Sequence, residues 1–293
     1  MPEKPLPDLA RLVPRELVTE LIAIARGSGA GFAEVYAEHT VLTGFSFDEG
    51  RVKTGSYSVI NGIGVRAIVG DQTGYAYADG FSAADARDAA RVAAGIARSG
   101  PAGEPPGAFR VVDAPAPFTL ERPASRALDE ASQVDMLRRA DAAARGHDRR
   151  VREVGVNLST ATKSFLVANS DGVWAEEAAY LSRLVVCALA LEGDERQEGY
   201  AAAGGCVEVS YFDRVRTPEA VAIEAAASAA LLLSAREPEA GTWPVVVCNG
   251  WGGVMVHECF GHGMEGDTIR KGSSIRAAQM GQQVAATGVT IVD

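Results

Sequence analysis

Between residues 33 and 79, short β-branched or aromatic runs alternate with tight-turn residues, and this pattern demands an antiparallel sheet. Ala33–Glu38 and Gly44–Asp48 precede the turn Asp48-Glu49-Gly50, and Arg51–Val59 follows it. Gly64–Val69 and Thr73–Ala78 flank Gly70-Asp71-Gln72. Gly and Asp supply the dihedrals that hairpin turns require. Helical patterns bracket the meander. Arg15–Arg26 places Leu17, Leu21 and Ile24 on one face with Gly27 as a stop. A second helix opens at Ser82, with Asp85 completing a weak capping box. Its apolar face is Ala86, Ala89, Ala90, Ala93 and Ile96.

The arrangement recurs further along. Ser132 and Asp135 are suited to cap a helix that runs to Arg145 and stops at Gly146. Strand patterns follow at Val154–Ser159, Lys163–Ala168, Val173–Glu177 and Ser182–Leu191, with Asn169-Ser170-Asp171-Gly172 as a turn. Thr217-Pro218-Glu219 starts a long Ala-rich helix to about Ala235: an N-cap, a proline at the first helical position and an acidic first turn. Trp243–Cys248 reads as a short buried strand, and the closing Val289–Asp293 is also strand-like. The fold class expected is α+β: antiparallel meander sheets with packed helices. The boundaries expected are 1–100 for an N-terminal α+β domain, 101–125 for a Pro-rich linker, 126–240 for a second α+β region and 241–293 for the start of the last domain. The linker assignment rests on prolines at 101, 105, 106, 115, 117 and 123, six of the chain's 13, which argue against a packed element there.

Composition narrows the function classes. The 293 residues are 47% hydrophobic and carry a formal charge of -10, which argues against binding a nucleic-acid backbone. The amino terminus is charged and proline-containing where a signal peptide needs an apolar core. The most apolar stretch, Ala225–Leu233, falls far short of the roughly 20 residues that span a bilayer. Cys187, Cys206, Cys248 and Cys259 show neither C-x-x-C spacing nor a disulfide framework, so they read as thiols of a reducing, cytoplasmic compartment.

The chemistry concentrates in V-M-V-H-E-C-F-G-H-G-M-E-G-D, residues 254–267, which holds two of the four histidines. On a regular helix, His257 and His262 stand about 140° out of register, because five residues accumulate about 500° of rotation. They converge only if a π-bulge realigns i with i+5, or if the helix ends between them and His262 returns from a loop. Gly261, Gly263 and Gly266 tolerate the dihedrals that such a departure demands. Glu258 follows the first histidine as the general base of a metalloprotease helix does, facing another direction from the ligand beside it. Two histidines are an incomplete ligand set. Asp267, Glu265 or a cysteine brought in by the fold are the available third donors, with Asp267 the best of them and Cys259 poorly placed. His39 and His147 read as ordinary surface or capping residues, Arg270 and Lys271 as solvated loop charges, and Trp251 as a core residue.

The run NGWGGVMVHECFGHGMEGDTIRKGSSIRA, residues 249–277, resembles the TldD branch of the TldD/PmbA zinc metallopeptidase family, as do residues 45–79 and 169–177. The resemblance implies a zinc-dependent peptidase working as a heterodimer with a TldE/PmbA-like subunit on unstructured or modified peptides in an enclosed cavity; self-association is the alternative partner reading. It implies His257 and His262 as Zn2+ ligands and Glu258 as the general base. The family's third ligand is a cysteine in a carboxy-terminal segment, and none of the four cysteines here matches it, so the resemblance makes residues 241–293 an incomplete C-terminal metal-binding domain. The chain therefore reads either as a fragment of a longer gene product or as a truncation completed by another chain. The alternative function is a catalytically inactive assembly or regulatory subunit paired with a TldE-like partner. A ligand-binding module without metal is the third reading.

Overall fold

The computed structural model describes residues 8–27, 29–97, 112–113, 129–250 and 252–291. The chain divides into two compact units, Met1–Ala235 and Arg236–Asp293.

In the first unit, a short helix α1 (Leu9–Leu12) leads to α2 (Arg15–Arg26). Strands β1 (Phe32–Asp48), β2 (Arg51–Val69) and β3 (Gln72–Asp79) form the meander, and α3 (Ala83–Ala97) closes it. After β4 (Val112–Asp113), the same order returns: α4 (Glu130–His147), β5 (Val151–Asn169), β6 (Val173–Glu192), β7 (Glu195–Gly205), the short α5 (Tyr211–Arg214) and α6 (Pro218–Leu232). The seven strands among the described residues join one sheet, ordered β3-β2-β1-β5-β6, with β7 and the parallel β4 on β6. The antiparallel β1–β5 seam unites the halves.

Each helix set covers mainly its own half, the first core also taking in Leu166, Ala168 and Trp174 and the second Phe47. Leu17, Val18, Leu21, Ile22 and Ala25 of α2 and the alanines of α3 pack on Val35, Ala37, Ile63 and Val65. Met136, Leu137 and Ala140 of α4 and Val221, Ala225 and Ala229 of α6 pack on Val154, Val156, Leu158, Leu184 and Val186. Both halves use one device to bring helix and strand backbones together. A Cβ on Gly74 of β3 would lie 1.9 Å from the Ala93 carbonyl oxygen of α3, and one on Gly199 of β7 would lie 2.0 Å from that of Ala225 in α6. The alanine faces of α3 and α6 and these two glycines are therefore one adaptation, since larger side chains would hold the layers apart.

The strand pieces expected at 33–38 and 44–48 form one strand, as do those at 51–59 and 64–69. Glycines within them pair without interrupting the ladder. The β1–β2 hairpin turns at Glu49 (φ 50°) and Gly50 (φ 73°), the two left-handed positions of a type I′ loop. Helix α4 starts before Ser132: Asp129 is the cap and accepts the Ser132 N–H at 2.7 Å. Gly146 lies within that helix. Thr217 caps α6 by accepting the Ala220 N–H, as the sequence predicts. Ile96 is 47% exposed rather than part of the α3 face, which turns toward Ala94 and Ala97 instead. Of the Pro-rich segment, Val112–Asp113 form a parallel bridge to β6, so a paired element does occur there. The remainder of that segment, and Trp251, lie outside the described residues.

The second unit contains α7 (Gly252–Val256), a π-helical turn (His257–Gly261), a 3₁₀ turn (His262–Met264) and α8 (Gly266–Arg270). The strand expected at Trp243–Cys248 does not form: no strand pairs with it among the described residues, and Val246 is 92% exposed. Residues 289–291 likewise lack strand structure. Apolar runs of this kind become strands only where a neighbour completes their hydrogen bonds. Among the described residues, no helix is long and apolar enough to cross a membrane.

Candidate metal centre

Helix α7 does not simply continue through the histidines. The His262 N–H reaches back to the His257 carbonyl, a five-residue step that widens the helix by one residue. Of the two routes to convergence, the backbone takes the π-turn. The imidazoles of His257 and His262 then meet edge to face, with ring centroids 4.4 Å apart and planes at 63°.

Gly261 has ordinary right-handed helical dihedrals (φ -58°, ψ -52°), so conformational freedom is not what this position requires. Space is the requirement. A Cβ here would stand 2.8 Å from Nδ1 of His257, inside the volume the imidazole fills. The glycine is a cradle for the ring.

Glu258 completes the group. Its Oε2 is 3.5 Å from Nε2 of His262, so the carboxylate shares a side with the imidazoles instead of facing away from them. The reason lies in the local winding: Glu258 and His262 are four apart and stack, while the π-turn brings His257 onto the same side. One donor atom from each of His257, Glu258 and His262 falls within 4.8 Å of the others. All three residues are exposed. Two imidazoles and a carboxylate are a donor set suited to a borderline divalent ion.

The surroundings hold the turn in place. Glu265 accepts from Nδ1 of His262 at 2.7 Å. That bond, with the charge of Glu258 nearby, keeps the His262 imidazolium protonated to higher pH than an ordinary histidine. The Ser274 hydroxyl donates to the Gly263 carbonyl at 2.5 Å, and the Arg276 guanidinium lies 4.7 Å from the Phe260 ring centroid. These returning contacts come from a loop whose sequence carries no ligand-like signal.

The favoured third donor, Asp267, lies outside the cluster. It pairs with Lys271 at 3.1 Å, which lowers its carboxyl pKa. Cys259 is exposed and likewise outside the group. His39 sits within β1 between Asn61 and Ser164, its Nδ1 buried without a hydrogen-bond partner among the described residues. His147 closes α4.

An α+β sheet protein with a histidine–glutamate–histidine cluster on a π-distorted turn is the class these observations define. Comparison with known proteins makes it particular. Residues 33–97 match PmbA/TldA metallopeptidase domain 1, residues 123–233 the central domain and residues 240–293 the C-terminal domain. The TldD homolog of Haemophilus influenzae is 34% identical over 267 residues, covering 89% of this chain and 55% of the relative. A Buchnera aphidicola TldD homolog is 31% identical over 268 residues with the same coverage. The chain thus spans about half the length of the curated relatives it matches. It belongs to the PmbA/TldD metallopeptidase family.

Solved structures share the fold. A Thermotoga maritima protein described as a candidate modulator of DNA gyrase superposes with TM-score 0.67 at 17% identity, over 92% of this chain and 59% of the other. TldE from Thermococcus kodakarensis gives 0.63 at 15% identity, over 90% and 58%.

Proposed function

We propose that this chain contributes the metal-binding turn of a zinc-dependent peptidase that cleaves unstructured or modified peptides, with a TldE/PmbA-like subunit or a second copy as partner, in the cytoplasm. His257 and His262 hold Zn2+, and Glu258 is the general base. Bound zinc supplies Lewis-acid polarisation of a peptide carbonyl and makes a water more acidic. The Glu258 carboxylate accepts a proton from the attacking water at Oε2 and returns it to the leaving amine. Gly261 leaves room for the first imidazole.

The observation that carries this reading is the π-turn that brings two imidazoles, five positions apart, to a 4.4 Å ring separation. Metal content of the purified chain, with His257→Ala and Glu258→Gln variants, tests it. The expected pattern is zinc in the parent and in Glu258→Gln, and its loss in His257→Ala. A parent without zinc ends this assignment.

A second reading, an inactive assembly or regulatory subunit paired with a TldE-like partner, draws on the likeness of the fold to TldE from Thermococcus kodakarensis. Size-exclusion chromatography with and without a TldE-like subunit examines it. An elution volume indifferent to that subunit removes it.

A further inference from the structure

We propose that Glu265 is a positioning residue that fixes the tautomer of His262 and so presents Nε2 to the ion. The inference rests on the metal-binding reading given above and adds a residue to it.

A carboxylate can only accept, so its 2.7 Å contact with Nδ1 places the ring hydrogen on that nitrogen. In the neutral imidazole, Nε2 is then the lone-pair nitrogen. The other carboxylate near this ring, Glu258, stands 3.5 Å from Nε2, and the carboxylate and both imidazoles form one donor cluster. One acid thus secures the far nitrogen, while the near one is left facing the cluster. This is the arrangement by which outer carboxylates orient metal-binding histidines.

The Glu265 backbone is anchored for the task. Its carbonyl accepts the Thr268 hydroxyl at 2.8 Å and the Ile269 N–H at 3.0 Å, which starts α8. Two residues earlier, the Gly263 carbonyl takes the Ser274 hydroxyl, and Ser274 Oγ in turn accepts the Arg276 N–H at 3.0 Å. The His262–Glu265 segment is therefore pinned at both ends. The nearby acid Asp267 is engaged by Lys271 and does not compete for the ring.

The test uses the 293-residue chain with 15N-labelled histidine, metal-free, at a pH above imidazole titration. Two-bond proton–nitrogen correlations assign the His262 tautomer, with His262→Ala identifying its signals. The expected result is Nδ1–H in the parent and in Glu265→Gln, whose amide oxygen still accepts, and a change toward Nε2–H in Glu265→Ala. Zinc affinity, measured by chelator competition, should fall about 10- to 100-fold in Glu265→Ala and be largely restored in Glu265→Gln. A parent His262 in the Nε2–H form overturns the proposal, as does a Glu265→Ala variant that binds zinc as tightly as the parent. A parent that binds no zinc defeats the peptidase reading instead, and the metal-free tautomer then decides the role of Glu265.

Discussion

At the scale of single residues, Gly261 illustrates how a correct expectation can carry the wrong cause. The spacing of His257 and His262 demands a helix distortion, and glycine is the natural residue for unusual dihedrals. Yet Gly261 keeps helical angles and is needed because the His257 ring occupies the place of its Cβ. No sequence rule reports where a ring will lie, so that reason was not legible. Gly261→Ala should leave the fold intact and displace the imidazole, lowering zinc affinity on the order of tenfold while thermal stability barely changes. Isothermal titration and a melting curve of the same variant check both halves. Glu265, one of the possible third donors in the sequence, was misjudged for a related cause: its bond to His262 depends on the 3₁₀ turn between them.

A second residue-scale prediction concerns Glu38. Partial burial raises its pKa, but hydrogen bonds from Lys163, Thr40 and Tyr36 outweigh burial and hold the carboxyl below its ordinary value. Such a depressed acid stabilises the fold above the unfolded pKa, and the contribution disappears as pH falls through the folded value. Glu38→Gln should therefore cost about 1 kcal/mol at neutral pH after solvent screening. The difference from the parent should close in acid. Urea midpoints measured along a pH series read this directly.

Elements tell a different story. Helix α6 was legible in full at its start because Thr217, Pro218 and Glu219 act through neighbours only a turn away. The long strands were not, since glycines such as Gly44, Gly62 and Gly64 look like breaks until a partner strand pairs across them. Strand β7 was missed because Glu195–Gly205 is rich in Ala and Gly, residues with weak strand preference. What makes it a strand is its fit beneath α6, where Gly199 admits the helix backbone. Gly74→Ala and Gly199→Ala should each destabilise by about 3 kcal/mol, since a methyl group would meet a carbonyl oxygen. Because the two sites belong to separate cores, the double variant should lose the sum of the single losses to within about 0.5 kcal/mol. Chemical denaturation of the three variants tests the independence of the halves.

At the scale of the whole molecule, the helix-and-meander order visible in both halves becomes a single sheet joined at the β1–β5 pairing. The histidine segment was recognisable because its residues are contiguous, and the family assignment follows it. The behaviour of Trp243–Cys248 was not, because its exposure depends on what lies beside it rather than on its own apolar character. The β1–β5 seam has a consequence for how the chain acquires this structure. Thr43 and Thr160, whose hydroxyls meet across it, are 117 positions apart, whereas each meander is stitched by short-range hairpins. Closing so large a loop is entropically slow, so each meander should collapse early and the seam should zip last. Stopped-flow refolding should resolve a fast and a slow phase, and Thr43→Val should retard only the latter. Until that final step, the inner edges of β1 and β5 are unsatisfied templates, and crowded chains could exchange halves with one another before each closes on itself.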